Sequence, residues 1–157
     1  MQLDLTLHVT MENNSKNKVV FFCTLDATAF LVNFCWESLH GLLYHAHPDM
    51  PAAVYVPMML SMAAMDTFSI TALYCVTALV FRTWFWVPGL NNSLLFFMLG
   101  LIAAYAVEYV SIFIFNLWQY QSSMPVVFGI GLFPLFQLSF TGLFSVFVAR
   151  KVAGDGL

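Results

Sequence analysis

A long apolar stretch that carries ionisable residues constrains the fold of this chain more than any other feature. Residues 20–44 are hydrophobic enough to cross a bilayer, yet they include five polar side chains: Asp26, Asn33, Glu37, His40 and Tyr44. At about 100° per residue, these five positions fall within roughly 60° of one another on a helix. A carboxylate is costly in hydrocarbon unless it is neutralised, paired or hydrated. The sequence therefore predicts that this helix face looks into a protein interior or a wet cavity, where other segments supply its partners.

The composition is typical of a membrane protein rather than of a soluble domain. The 157 residues are 61% hydrophobic and 8% charged, whereas soluble domains have about 25% charged residues. The net charge of −3 and the lack of a basic run predict no nucleic-acid partner. The three cysteines, Cys23, Cys35 and Cys75, lie inside apolar segments, so we interpret them as packing residues and predict no cofactor. The nine methionines are interpreted as packing or lipid-facing residues.

Four segments are long and apolar enough to be membrane spans. Each exceeds the ~20 residues that a helix needs to cross the hydrocarbon. Their approximate bounds are 20–43, 53–81, 93–116 and 125–148. Because the connections are short, the sequence predicts an all-α membrane protein, an antiparallel bundle of four transmembrane helices.

The positive charges predict the orientation of these spans. The five basic residues precede the first span, lie between the second and third, or follow the fourth: Lys16, Lys18, Arg82, Arg150 and Lys151. Four crossings place all of them on one side, which the positive-inside rule assigns to the cytoplasm. Residues 1–19 and 150–157 are accordingly predicted to be cytoplasmic tails, and the first of them to be peripheral.

Each later span contributes polar residues to a predicted common centre. Asp66 lies in the second span, Glu108 in the third and Gln137 in the fourth. With a rise of about 1.5 Å per residue, these side chains are expected to meet Asn33 and Glu37 in the outer half of the bundle. Three carboxyl groups at low dielectric cannot all be ionised cheaply, so at least one is expected to carry a proton. A protonated buried carboxyl group favours general acid chemistry or a proton-coupled binding site.

The candidate site residues follow from this centre and from its outer mouth. The candidate catalytic residues are Glu37, Asp66, Glu108 and His40. The candidate binding residues are Asn33, Trp36, Tyr44, Tyr105, Trp118, Tyr120 and Gln137. A simpler interpretation is that the acids and amides only join helices, and that His40 only pairs with Glu37. A divalent metal held by the four candidate catalytic residues is a further alternative, which is weakened because Glu-x-x-His occurs once where di-iron bundles have two such pairs.

Several short motifs resemble a family of small prokaryotic multi-pass membrane proteins. The motifs are Asn33-x-x-Trp36-Glu37, Trp118-x-Tyr120-x-x-x-Met124-Pro125 and Gly129-Ile-Gly-Leu-x-Pro134-Leu-x-Gln137. The resemblance covers about residues 30–140 and implies a location in the prokaryotic plasma membrane, but it implies no reaction. His40 departs from the family pattern. The predicted architecture is also similar to that of the sterol-isomerase and sigma-2-receptor superfamily, which isomerises or binds sterol-like lipids, although no motif of that superfamily is matched residue by residue.

Three classes of function stay open at this point, and membrane lipids are expected partners in all of them. The first is an enzyme that isomerises, cyclises or hydrates an isoprenoid-like lipid by acid–base chemistry, with the lipid arriving from the bilayer between helices. The second is a proton-coupled transporter, or a subunit of one, whose path runs through Asp26, Asn33 and Glu37 and which is expected to be a homodimer. The third is an accessory protein whose polar residues only lock the helices together.

Overall fold

Four long helices make up most of the computed structural model, which describes the backbone of residues 2–154 and the side chains of residues 15–154. The helices are α1 (Gln2–His40), α2 (Ala52–Phe81), α3 (Leu90–Tyr109) and α4 (Leu132–Ala153). A short antiparallel hairpin, β1 (Val126–Val127) and β2 (Ile130–Gly131), precedes α4. Each helix contains a segment long and apolar enough to cross a membrane. The predicted fold class is therefore confirmed, and the chain fits an integral membrane protein.

The helices form an incomplete ring. Helix α1 packs against α2 and α4, and α4 packs against α3, while α2 and α3 approach each other much less closely. At one end of the bundle, the Lys18 ammonium group lies 5.9 Å from the ring centroid of Phe85. The Arg150 guanidinium donates a hydrogen bond to the Phe85 carbonyl over 3.5 Å. We call this end the basic end, and we call the opposite end, formed by residues 41–51 and 115–131, the loop end.

The half of the bundle nearest the basic end is a tightly filled apolar core. Its members come from all four helices and the α2–α3 loop, and they include Phe21, Leu25, Ile70, Tyr74, Trp86, Phe96 and Val146. The Tyr74 and Trp86 rings stack 5.3 Å apart, and the Tyr74 hydroxyl donates to the Trp84 carbonyl over 2.6 Å. Because this half is packed with side chains, the buried carboxyl and amide groups lie in the half nearest the loop end, and the buried polar side chains near the basic end are hydroxyls such as those of Thr77 and Ser145.

A close backbone approach fixes α3 against α4. The Ser139 hydroxyl of α4 donates to the Phe97 carbonyl of α3 over 2.8 Å. A Cβ atom on Gly100 would lie 2.6 Å from the Ser139 hydroxyl oxygen, so a larger residue does not fit at this position. This contact sets the height of Glu108, two turns along α3, relative to Gln137 on α4.

Two helices begin at other residues than the predicted spans do. Helix α1 begins at Gln2, ahead of the predicted span 20–43, because the chain contains no glycine or proline before Gly41 to end a helix. That residues 1–19 are a cytoplasmic tail stays a prediction. Helix α4 begins at Leu132, not near residue 125. The preceding residues form the hairpin, whose two-residue turn places Phe128 and Gly129 at φ of 51° and 82°, as a type I′ turn requires.

Candidate functional site

A chamber of about 600 Å³ lies in the loop-end half of the bundle. Its sides are α2 and α3, and residues from α1 and α4 close its back. Glu37, Asp66, Glu108 and Gln137 all line it. The structure thus brings together three carboxyl groups from three different helices, and they form two hydrogen-bonded clusters.

The first cluster is organised by the side-chain amide of Gln137, which is 3% exposed. Its Nε2 donates to Asp66 Oδ2 over 2.6 Å, to Glu37 Oε1 over 2.8 Å and to Asn33 Oδ1 over 3.1 Å. The Thr141 hydroxyl, one turn further along α4, donates to the same Asn33 oxygen over 3.1 Å. An amide nitrogen has two hydrogens for these three acceptors, so one hydrogen is shared. The cluster therefore joins α1, α2 and α4 at one level.

Glu37 and Asp66 lie side by side, because both accept a hydrogen bond from the same Gln137 nitrogen. Two ionised carboxylates this close repel each other at low dielectric, which favours a proton on one of them. We call Glu37 and Asp66 the carboxyl pair. The pair lines the chamber wall, and its arrangement fits the expectation that at least one acid of the centre carries a proton.

The second cluster surrounds Glu108, which is 7% exposed. Its Oε1 accepts a hydrogen bond from the Tyr44 hydroxyl over 3.2 Å. Its Oε2 accepts from Trp118 Nε1 over 3.3 Å and from the Tyr120 hydroxyl. Three neutral donors are directed at this one carboxyl group, and they would strengthen into charge-assisted hydrogen bonds if it ionised. We call this arrangement the Glu108 clamp.

The loops at the loop end hold the clamp donors in place. Tyr44 and Tyr120 face each other in an isolated antiparallel bridge. The backbone N–H of His45 donates to the Gln119 carbonyl over 2.9 Å, and that of Gln121 donates to the Leu43 carbonyl over 2.8 Å. Directly after α3, residues 110–114 form a π-helical turn, a feature common at functional sites.

Burial keeps the clamp tyrosines protonated. The pKa of Tyr44 is raised well above its ordinary value, first by burial and then by the nearby Glu108 carboxylate. The pKa of Tyr120 is also raised, by burial and then by its hydrogen bond to Glu108. Both phenols therefore remain hydrogen-bond donors across the physiological pH range.

Two histidines lie beside the chamber in different roles. His40 Nδ1 donates to the Trp36 carbonyl over 2.9 Å, and its Nε2 lies 4.0 Å from Glu37 Oε2. His47, in the loop after α1, lines the chamber, and its Nδ1 donates to the Gly41 carbonyl over 2.9 Å. Burial lowers the pKa of His47, although the hydrogen bond to Gly41 opposes the shift.

The remaining wall is apolar, and it opens sideways. Five of the nine methionines line the chamber, namely Met50, Met58, Met59, Met62 and Met65, where the sequence analysis expected packing or lipid-facing residues. Met65 of α2 and Val107 of α3 line the chamber and are 66% and 57% exposed on the outside of the bundle. The chamber therefore opens to the membrane between α2 and α3, where the helix ring is incomplete.

The charges in the chamber are of one sign. The described residues that line it include three carboxyl groups and no lysine or arginine. Within residues 15–154, no three histidine, cysteine, aspartate or glutamate side chains come together in a way that could hold a metal ion. The alternative metal site of Glu37, His40, Asp66 and Glu108 is therefore not assembled. A chamber with three carboxyl groups and no lysine or arginine among its described lining residues suits a ligand or substrate on which positive charge develops.

Three residues discussed as polar or binding candidates neither line the chamber nor bond to a side chain that lines it, whereas Asn33, His40 and Tyr120 lie behind the wall beside Gln137, Glu37 and Glu108. Asp26 is exposed on the outside of the bundle, so the prediction that all five polar residues of the first span face inward is wrong for this residue. Tyr105 is 38% exposed and stacks on Tyr109 on the outer surface of α3. Trp36 does not line the chamber, and its buried Nε1 has no hydrogen-bond partner among the described residues. Conversely, Thr141 joins the first cluster, and its spacing of four residues from Gln137 was the signal for it.

Fold and site together define a four-helix integral membrane protein with a carboxyl-rich chamber that is open towards the lipid. Comparison of the chain with models of protein families, with curated proteins and with solved structures finds no match to any of them. The resemblance to small prokaryotic membrane proteins stays a prediction, and the function has to be argued from the chamber itself.

Proposed function

We propose that the protein is an enzyme that moves a proton, and with it a double bond, within an isoprenoid-like lipid. The observation that carries this proposal is the placement, in one chamber, of the adjacent Glu37 and Asp66 carboxyl groups and of Glu108, whose carboxyl group accepts from three donors. In the proposal the carboxyl pair holds a proton and Glu108 is ionised. A proton donor and a proton acceptor on opposite walls of an apolar site are the two groups that an acid–base isomerisation needs.

The lipid reaches the chamber from the membrane. The opening beside Met65 and Val107 admits an apolar chain without exposing it to water. Unbranched methionine side chains adapt to irregular chains, which suits a wall that holds a flexible hydrocarbon. A volume of about 600 Å³ is within the ordinary range of small-molecule sites, roughly 300–1,000 Å³.

The proposed reaction moves one proton on and one proton off. The O–H of the carboxyl pair gives its proton to one carbon of a C=C bond, whose π electrons form the new C–H bond and leave positive charge on the neighbouring carbon. Glu108 then removes a proton from the next carbon, and the electrons of that C–H bond form the shifted double bond. Return of the proton from Glu108 to the carboxyl pair completes the cycle. Cyclisation and hydration begin with the same first step.

The surroundings of Glu108 suit this second role. Its carboxylate lies among aromatic rings, with the Tyr44 and Trp118 ring centroids 6.0 Å apart and those of Tyr44 and Tyr120 5.3 Å apart. Fixed negative charge and aromatic faces stabilise positive charge as it develops in a site from which water is largely excluded. Asn33 and Gln137 hold the carboxyl pair in position, and Tyr44, Trp118 and Tyr120 hold Glu108.

The transport alternative has less support from the geometry. Its route was predicted to run through Asp26, Asn33 and Glu37, but Asp26 lies on the outer surface. Towards the basic end, the interior below Asn33 is filled by residues such as Leu25 and Ile70, each 0% exposed. Within the described residues, the buried carboxyl and amide groups do not continue to the basic end, and the Thr141 and Ser145 hydroxyls below them donate to carbonyl groups of their own helix.

The test is a set of matched carboxyl-to-amide substitutions in the native membrane. Glu37→Gln and Glu108→Gln each remove one proton-transfer group and keep the side-chain shape. We expect each to lower the conversion of lipid precursor to isomer by about 100-fold or more, measured as the change in the cellular lipid profile by mass spectrometry. Asp26→Asn, the same chemical change outside the chamber, is the control. Unchanged lipid profiles in folded Glu37→Gln and Glu108→Gln proteins would overturn the proposed isomerisation.

A further inference from the structure

Asp26 is an exposed carboxyl group on a helix that is long and apolar enough to span the membrane. It is exposed on α1, within the apolar segment Ser15–Leu43. Eight residues separate it from Lys18, which is about 12 Å along the helix axis. The short aspartate side chain cannot reach the membrane surface from that depth, and an uncovered carboxyl group in hydrocarbon is costly. Something other than lipid must cover it.

The contacts of Asp26 within the chain leave it incompletely satisfied. Oδ1 accepts a hydrogen bond from the Thr71 hydroxyl of α2 over 2.7 Å. Oδ2 has no hydrogen-bond partner among the described residues. Most other hydroxyl groups in the spans, such as those of Thr67 and Ser69, bond to the carbonyl four residues earlier in their own helix. The Thr71–Asp26 bond therefore holds the carboxyl group at the outer seam between α1 and α2.

We propose that this surface is the interface with a second copy of the same chain. Two copies inserted in the same orientation are related by an axis along the membrane normal, so each residue meets groups at its own depth. At that depth, the carboxyl group that the second copy supplies is the partner's Asp26. Two carboxyl groups that share protons donate and accept equally, so each satisfies the other without a cation.

The chemistry of the surface suits a copy of itself. Lys18 and Arg150 lie at the basic end, as do the neighbours in sequence Lys16 and Lys151 and the α2 terminus at Arg82. A copy of this chain therefore brings no cation to the depth of Asp26, which is eight residues from Lys18 and ten from Lys16. The neighbours Cys23 and Ala27 are exposed and small, and they are four residues apart on one face of α1. Small side chains at this spacing let two transmembrane helices approach closely enough for a hydrogen bond between side chains.

The native cysteines provide a direct test. Cys23 lies within one turn of Asp26, whereas Cys35 is exposed about 180° away around α1. We would compare C35A/C75A, which retains Cys23, with C23A/C75A, which retains Cys35. Oxidation in native membranes is expected to give a disulfide-linked species of twice the 17.7 kDa chain mass with Cys23, and severalfold less of it with Cys35.

Further substitutions in the C35A/C75A variant then distinguish a specific dimer from random encounters of two chains in the membrane. Asp26→Leu is expected to reduce cross-linking severalfold, while Asp26→Asn, whose amide also pairs with itself, retains it. Ala27→Phe is expected to block the approach of the second helix without disturbing the core, since Ala27 is exposed; Ile102→Phe, on the exposed face of α3, is its control. Equal cross-linking through Cys23 and Cys35, or cross-linking that neither Asp26→Leu nor Ala27→Phe reduces, would overturn the proposal. A cross-linked species of another mass would also overturn it, because a different protein would then cover Asp26.

Discussion

Gln137 is the residue on which the first cluster of the chamber depends. Its amide nitrogen is the shared donor to Asn33, Glu37 and Asp66. We expect Gln137→Leu to lower the free energy of unfolding by about 1–3 kcal/mol, because several buried oxygens lose their donor at once. The measurement is thermal or denaturant unfolding in detergent. Gln119→Leu is the control, since Gln119 is exposed and a surface change is expected to stay within about 0.5 kcal/mol; equal effects of the two changes would contradict the proposed role of Gln137.

His47 makes the stability of the loop end depend on pH. Because burial lowers the pKa of this imidazole below 6.5, the unfolded chain binds its proton more readily than the folded chain does. The stability that the neutral His47 side chain contributes is fully present above about pH 6.5, and it is lost as the pH falls towards the pKa of His47 in the folded state. We expect Tm to fall over this window, and His47→Gln to flatten the fall while still donating to the Gly41 carbonyl. His45→Gln, the same substitution at an exposed position of the same loop, is the control.

At the same scale, the sequence indicated which residue types would meet, but not on which side of a helix each would lie. Residues Phe21, Leu25, Ala29 and Asn33 are all 0% exposed, so the buried line of α1 follows steps of four residues. Each such step advances by about 40° around the axis. The buried side of α1 thus rotates around the helix axis from Leu25 to Asn33. Asp26 is only about 20° from Asn33 around the axis, but it is about 100° from Leu25, the buried residue at its own depth. The sequence prediction assumed that one side of the helix is buried along its whole length, whereas the packing of α1 against its neighbours sets this rotation.

At the scale of elements, the α3–α4 contact fixes the distance between the two acid clusters. In Gly100→Ala, the new methyl group would lie 2.6 Å from the Ser139 hydroxyl oxygen and 3.1 Å from its backbone nitrogen. Backbone atoms cannot move aside as a flexible side chain can, so we expect a loss of about 1–3 kcal/mol of stability. Gly89→Ala is the matched control, because the nearest atoms to its Cβ are 3.8 and 3.9 Å away. Unfolding of both variants by heat would reveal the difference.

The elements also show why the length of a span was easier to predict than its start. Apolar length alone identified all four helices, since each has few charges over about 20 residues. The segment 125–131 is equally apolar, yet it turns back as a hairpin because Pro125 cannot donate a backbone hydrogen bond and Gly129 takes a positive φ. In α2, the methionines Met58, Met62 and Met65 share one helical stripe with Asp66. The position of these methionines on the same side of the helix as Asp66 indicates a chamber wall, whereas the number of methionines alone favoured their interpretation as packing residues.

At the scale of the whole molecule, the open side between α2 and α3 is what would make a lipid the substrate. Met62 lines the chamber on the α2 side, and tryptophan at this position would fill part of the volume that an apolar chain occupies. Displacing two methylene groups of a bound lipid at about 0.8 kcal/mol each lowers its affinity by about tenfold. We therefore expect Met62→Trp to retain the fold but to copurify with about tenfold less of its specific lipid, measured by native mass spectrometry. Met98→Trp, at a 41% exposed position on α3, should retain the lipid, because it adds the same bulk outside the chamber. Equal lipid content in the two variants would mean that the chamber holds no lipid, and the carboxyl groups would then have to be explained by helix packing alone.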